Sequence, residues 1–322
     1  MKLIMKLILI FILMISTVTF AWQPSKPITL VLGFPPGGGS SALLRVAATQ
    51  VERNTGVHFV ILNKPGAGSA IANEYIAREV NDGHNVLVGS MPAIYATDRM
   101  LLPNKKYGTK DFTAATFLFA TPMVIIAHPD DPVSSIKEFI KVTRTEPVTF
   151  GDPGSAARLT YELLADAVKF TAGPKNVVRV EYKGPADVVT GVMGKHIRFG
   201  IVPSSVVLGA FSAQKIKIIA VTSNHTTPLL AGVPSITDIY PNMNFSLEMA
   251  LLLPANTPAE IANWYSTEFS KALESLEVKE VFIKNLMFAN KKLQDPVTLQ
   301  SYIIQEEKKY SAIVDKVISE QK

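Results

Sequence analysis

Two glycine-serine loops hold the residues best suited to chemistry. Gly33-Phe34-Pro35-Pro36-Gly37-Gly38-Gly39-Ser40-Ser41 follows the apolar run Ile28–Leu32, and Gly151-Asp152-Pro153-Gly154-Ser155 follows residues 148–150. An apolar-periodic segment of helical spacing succeeds each loop. The N–H groups of a helix's first turn have no partner inside the helix, and the helix dipole adds partial positive charge there. Such a turn, with a serine hydroxyl beside it, suits an anion. Glycine in a turn also needs no more explanation than its tolerance of positive φ. The second copy favours the anion reading. The candidate contacts are Gly38, Gly39, Ser40 and Ser41 in the first loop and Gly154, Ser155 and Ala156 in the second, with Phe34 as an apolar wall.

Arg158 falls in the first turn of the second helix, where a cation opposes the dipole. Either a bidentate grip on a ligand carboxylate justifies that conflict, or the side chain pairs with Asp152 or Glu162. On the first alternative, Arg158→Ala weakens ligand binding by about 1.5–3 kcal/mol. Ser90 and Ser204 follow the apolar runs 85–89 and 197–202. That places them at C-terminal sheet edges, where open α/β sheets take ligands.

The common catalytic patterns fail on particular residues. A phosphate-binding P-loop needs a lysine after its last glycine, but Gly39 is followed by Ser40-Ser41. A dinucleotide fingerprint starting at Gly37 or at Gly66 meets Ala42 or Ile71 at its third glycine position. No G-x-S-x-G elbow occurs. The five histidines (His58, His84, His128, His196, His225) lack zinc-ligand spacing. A nucleophilic serine needs a base in reach, and the pattern signals none. The reading is therefore non-catalytic, with no cofactor and no metal.

A chain of 322 residues has room for two domains, and 48% hydrophobic with 18% charged residues describes globular cores. The absence of cysteine excludes disulfides, thiol nucleophiles and thiolate metal sites. Lys2 and Lys6, an apolar stretch over 7–15, and Thr19-Phe20-Ala21 form the pattern of a secretory signal peptide cut before Trp22. The apolar part is short for a membrane span of about 20 residues. Loss of residues 1–21 removes two lysines, taking the formal charge from +5 to +3. No block of like charge is present, which argues against nucleic acid and membrane surfaces as partners. A monomer soluble in the periplasm is expected.

The elements that must position the loops alternate. Strands over 28–32, 57–62 and 85–89 are separated by helices near 41–53 and 70–80, and a second alternating unit runs from 123 to 221. Apolar strands between amphipathic helices imply parallel sheets covered on both faces. Ser134 is expected to cap a helix over 135–144, and the helix from Ser155 to reach about residue 170. A late apolar stretch over 246–253 precedes three closing helices. The chain is thus expected to cross between units near 120–125 and again near 246–251, making a hinge with a ligand between the domains. The twin loops would face each other across that gap.

An ordered set of segments carries a resemblance. Trp22-Gln23-Pro24-Ser25-Lys26-Pro27-Ile28, Phe34 to Ser40, Asn63-Lys64-Pro65-Gly66-Ala67-Gly68, Asp82-Gly83-His84, Tyr182-Lys183-Gly184, Ala220-Val221-Thr222, Gly232-Val233-Pro234-Ser235 and Pro254-Ala255-Asn256-Thr257-Pro258 occur in sequence. Together they resemble the periplasmic solute receptors of tripartite tricarboxylate transporters, the Bug-type receptors. The resemblance implies a type II-like periplasmic binding protein: two α/β domains joined by two crossing strands, with the cleft between them. The expected division is 22–122 with 247–322 as one domain and 123–246 as the other. It further implies a carboxylate ligand held by the loops at Phe34 to Ser41 and Gly154 to Arg158, and delivery to a two-subunit integral membrane permease.

Ser41 stands where the family pattern often has Asp, Arg158 where it often has His, and Glu248 where a crossing strand often has Trp. Arg198 stands where the family pattern usually has an acidic residue, and another acidic position of the pattern near Val202 is not acidic here. These departures favour a ligand with several carboxylates over an α-amino acid, unless Glu248 takes an ammonium. An exported α/β hydrolase or transferase using a loop serine, and a receptor feeding a sensor kinase, are the alternatives.

Overall fold

The computed structural model describes residues 22–168, 177–224 and 228–321. The expected signal peptide, His225 and the end of the helix reaching toward residue 170 lie outside these residues.

The first unit follows its apolar pattern. β1 (Ile28–Leu32) pairs in parallel with β2 (Phe59–Asn63) and with β3 (Asn85–Ser90). α1 (Gly39–Thr55) connects β1 to β2 and buries Leu43, Leu44, Ala47, Ala48 and Val51 on one stripe. It ends at Gly56, whose φ of 74° lets its N–H return to the Glu52 carbonyl. α2 (Ala70–Ala77) leads toward β3. A π-helical turn, Ala93–Thr97, and the short α3 (Asp98–Leu101) follow.

β4 (Phe112–Ala127) is longer than its pattern predicts: the apolar run that opens the second unit marks only the part from Met123 on. The earlier part pairs with β9 (Ser246–Pro254) through two register shifts, between Ala114 and Thr116 and between Phe117 and Phe119. Such irregularities break the period-two signal on which a strand assignment rests. At Pro122 and Met123 the partner of β4 changes. Up to Pro122 it lies against β9, and from Met123 to Ala127 against β7 (Phe199–Pro203). Proline has no N–H to give a ladder, so a hand-over between partners is a place that tolerates it.

The second unit contains α4 (Ile136–Thr145), β5 (Val148–Asp152), α5 (Ser155–Val168), β6 (Val177–Glu181), α6 (Pro185–Met193), the short α7 (Leu208–Ser212) and β8 (Lys217–Val221). Ser135, not Ser134, caps α4. Its Oγ accepts from the Glu138 N–H at 3.2 Å, while the Ser134 N–H and hydroxyl donate to the Glu138 carboxylate. β5 is parallel to β6 and β7, and β8 is antiparallel to β4. The order along the whole sheet is β2-β1-β3-β9-β4-β7-β5-β6, with β8 beside β4. Two α/β units thus share the crossing strands β4 and β9. α8 (Ala259–Leu273), α9 (Leu276–Lys284) and α10 (Pro296–Glu320) return to the first unit, where α8 and α9 pack on α1. α10 also reaches the second unit, where Lys316 Nζ lies 2.9 Å from Asp166 Oδ1 on α5.

Candidate functional site

The loop after β5 is built by Asp152. Its Oδ1 accepts from the Gly154 N–H at 2.8 Å, closing an Asx turn. Gly154 and Ser155 are then left-handed, with φ of 74° and 53°. That reversal aims the start of α5 at the first unit. Ser155 Oγ lies 2.7 Å from Ser90 Oγ at the end of β3. The Ser155 carbonyl accepts from Thr97 Oγ1 at 2.9 Å, out of the π-helical turn. A strained serine is therefore held by two hydrogen bonds to the opposite unit, donating to Ser90 and accepting from Thr97.

The loop facing Gly154 is not the one the sequence pairs with it. A methyl group on Gly154 would stand 2.6 Å from Gly68 Cα, and one on Gly68 would stand 2.9 Å from the Ser155 nitrogen. Gly66, Ala67, Gly68 and Ser69 all have positive φ, and backbone strain of this kind concentrates at functional sites. A methyl group on Gly37 or Gly38 would meet nothing within 4 Å, while Gly39 abuts Ser205 and Met287. The first loop touches the second unit elsewhere, with Pro35 against Gly184, the residue capping α6.

Between the units lies a cavity of about 20 Å³, room for about one water. Phe34, Leu247, Met123 and Pro203 line it, and Pro153 to Ala157 carry the start of α5 into it. Pro185, the first residue of α6, is there too. None of the lining residues is charged. The unpaired N–H groups of a helix start, in a site without carboxylates, offer partial positive charge to an anion.

Of the residues singled out in the sequence, Phe34, Gly154, Ser155 and Ala156 line this cavity. Ser90 stands behind it through Ser155. Gly38, Gly39, Ser40, Ser41, Arg158 and Ser204 are not in its lining. Ser41 and Ser204 are buried, and Ser204 Oγ lies 3.0 Å from Thr121 Oγ1, tying the end of β7 to the crossing strand β4. The catalytic alternative needs a base, but the hydroxyl partner of Ser155 is another serine.

Arg158 takes the paired alternative. Its side chain is buried, with Nη1 3.5 Å from Asp152 Oδ2 and Nε 2.8 Å from Glu162 Oε1. Arg179 on β6 joins them, 3.4 Å from Asp152 Oδ2 and 3.9 Å from Glu162 Oε1. Burial pushes the Asp152 and Glu162 carboxyls up, and Arg158 opposes this. Two acids and two bases balance. Arg158 thus holds the Asp152 turn that shapes the loop and is not a free cation in the cleft. Arg198 is likewise paired, with Asp131 and Glu146 at 2.8 Å each, and Val202 is in the core.

Glu248 is corrected by strand alternation. Leu247 faces the cavity, so its neighbour Glu248 points to the other side of β9, where Tyr302 Oη donates to it at 2.9 Å. It cannot hold an ammonium in this cavity.

Sequence reading misses the loop Gly66 to Ser69, although its Gly-x-Gly-Ser after a strand repeats the pattern of the other two. A buried network supports it. Asn73 Nδ2 donates to Asp98 Oδ2 at 2.8 Å and lies 3.4 Å from Ser69 Oγ, and Tyr107 Oη donates to Asp98 Oδ2 at 2.6 Å. Burial pushes Asp98 up to about 6, with the Tyr107 and Asn73 hydrogen bonds opposing it. The folded chain therefore holds a proton that the unfolded chain releases near pH 4. Stability from this group is full below pH 4 and falls as pH rises to 6, by about 3 kcal/mol at most. Asp98→Asn should lack that fall. Urea unfolding of both proteins at pH 4 and at pH 6.5 measures the difference.

Comparison with known proteins agrees with this architecture. Residues 43–318 match the model of the tripartite tricarboxylate transporter family receptor. The chain is 24% identical over 261 residues to protein BugT of Bordetella pertussis, covering 80% of each. It superposes with a TM-score of 0.82 on MatC from Rhodopseudomonas palustris with bound malate, at 21% identity over 91% of this chain and 100% of that one. A second R. palustris structure, with adipate, gives a TM-score of 0.82 at 24% identity over 92% and 98%. This chain belongs to the tripartite tricarboxylate transporter receptor family, whose members are periplasmic solute-binding proteins. Its fold is that of a periplasmic binding protein with two lobes. Among the described residues no helix is long and apolar enough to cross a membrane.

Proposed function

We propose that this chain is an exported receptor that captures a small dicarboxylate or tricarboxylate in its cleft and presents its closed form to a two-subunit membrane permease. It catalyses no reaction. Residues 1–21 serve as the cleaved leader. The domains are 22–122 with 247–322, and 123–246. The observation that carries this reading is the start of α5 opening on an uncharged cavity against Phe34. A carboxylate there meets unpaired N–H groups and no carboxylate to repel it. An α-amino acid meets no acid for its ammonium, because Glu248 faces away. The malate and adipate bound by the two R. palustris proteins support the carboxylate class.

A cavity of about 20 Å³ is too small for such a ligand, so capture requires the units to part and to reclose with Phe34 and Leu247 drawn back from the start of α5. Ligand then favours the closed state by its differential affinity for the two forms. The Ser155–Ser90 bond and the Thr97–Ser155 bond are remade on closure. Calorimetric titration with malate, adipate, citrate, leucine and arginine tests the reading. Binding of a di- or tricarboxylate is expected, and binding of amino acids alone would reject it. Ser90→Ala removes one cross-unit hydrogen bond and should weaken that binding by about 1 kcal/mol, roughly fivefold, in the same titration.

A further inference from the structure

The wall around the start of α5 is hydrocarbon. Phe34, Met123, Pro153, Pro185, Pro203 and Leu247 line the cavity, and among the described residues no carboxylate, amide or imidazole side chain joins them. The hydroxyl in the lining, that of Ser155, donates to Ser90 at 2.7 Å.

The backbone of the wall is spent as well. Pro153, Pro185 and Pro203 have no N–H to give. The Phe34 carbonyl accepts from Asn63 Nδ2 at 2.8 Å, the Ser155 carbonyl from Thr97 Oγ1 at 2.9 Å and the Ala156 carbonyl from Thr160 Oγ1 at 2.8 Å. Met123 gives its N–H to Thr222 Oγ1 at 3.0 Å, and its carbonyl accepts from the Thr222 N–H at 2.9 Å. The cavity thus offers donors at the start of α5, which suit a carboxylate, beside a surface with little to offer any other polar group.

Most of this wall travels with those donors. Met123 pairs with Pro203 across β4 and β7, Pro153 leads into α5, and Pro185 opens α6, all in the second unit with the start of α5. Phe34 and Leu247 come from β9 and the first loop. Drawing them back enlarges the cavity and leaves hydrocarbon beside the anchored carboxylate.

We propose that this site selects carboxylates whose carbons between the carboxylates bear no hydroxyl, with Met123, Pro185 and Pro203 setting the preference. The proposal rests on the carboxylate reading of the cleft and narrows it. A hydroxyl packed against this wall gives up its water and meets hydrocarbon, and a buried hydroxyl without a partner is costly. An apolar pocket rejects an added hydroxyl by about a hundredfold at most.

Calorimetric titration of the mature chain at pH 7.5 with three pairs of acids tests this: succinate and malate, adipate and 2-hydroxyadipate, tricarballylate and citrate. The members of a pair differ by one hydroxyl and carry the same number of carboxylates, so charge and length cancel in their ratio. In each pair that binds, the member without the hydroxyl should bind about ten- to a hundredfold more tightly. Met123→Gln places an amide of similar length in the wall and should cut that ratio about fivefold, whatever it does to stability or to absolute affinity. Should Met123→Gln fail to fold, the ratios of the unaltered chain decide. A hydroxylated acid binding as tightly as its partner, or a ratio unmoved in folded Met123→Gln, would overturn the proposal and leave the carboxylate reading standing. Binding of none of the six acids would overturn both.

Discussion

Gly154→Ala should abolish carboxylate capture while both units stay folded. A methyl group at residue 154 would lie 2.6 Å from Gly68 Cα and 3.3 Å from Gly68 N. Both are backbone atoms, which cannot swing aside as a side-chain tip can. The left-handed φ of 74° adds a cost of about 1–2 kcal/mol for a residue with a Cβ. That cost falls on open and closed forms alike and lowers stability without changing affinity. The clash exists only when the two loops meet, so it acts against the closed form alone. Affinity for the preferred carboxylate should fall at least a hundredfold, about 2.8 kcal/mol. Titration measures this, and small-angle scattering should show no ligand-induced compaction. Gly68→Ala, whose methyl would lie 2.9 Å from the Ser155 nitrogen, should act in the same direction. Unchanged affinity in both variants would show that the Gly68–Gly154 approach does not belong to the binding-competent form.

Arg158→Met should act chiefly on stability. It would leave Asp152 and Glu162 buried with Arg179 as their remaining cation, at 3.4 and 3.9 Å. Breaking a buried pair by removing one partner costs about 3–5 kcal/mol. The half-buried Arg179 places the expected loss at the lower end. Urea unfolding should show it as a lower midpoint at unchanged slope. Adding Asp152→Asn and Glu162→Gln to Arg158→Met should restore part of the stability, because the stranded charges are then gone. A full-strength fold with selectively weakened ligand binding would return Arg158 to the cleft.

The difference between these two residues shows what the sequence makes legible. The helix start at Ser155 and the strand β1 follow from local spacing and lie where the pattern puts them, whereas the first glycine loop ends early, because α1 already begins at Gly39. Arg158 stays a choice between two alternatives in sequence because its environment depends on Arg179, which arrives from β6. No local pattern reports that arrival. The partner of Gly154 escapes the sequence for a similar reason. Gly38 and Gly68 occupy similar local contexts, and tertiary packing separates them: the 66–69 turn lies against Gly33, just after β1, where a methyl group would stand 2.5 Å from Ser69 Cβ. Alternation assigns Glu248 to one side of its strand relative to Leu247, but which side faces the cleft depends on the pairing of β9 with β4. The first half of β4 is hidden by its own register shifts.

Everything in the functional reading turns on an anion at the start of α5. The most direct measurement is a crystal structure of the mature chain with whichever di- or tricarboxylate binds most tightly by titration. One carboxylate should lie within hydrogen-bond distance, about 3 Å, of the Ala156 and Ala157 N–H groups, with Phe34 against the ligand body and both units closed over it. A ligand whose carboxylate lies away from the Ala156 and Ala157 N–H groups, with no contact to Phe34, would contradict the account.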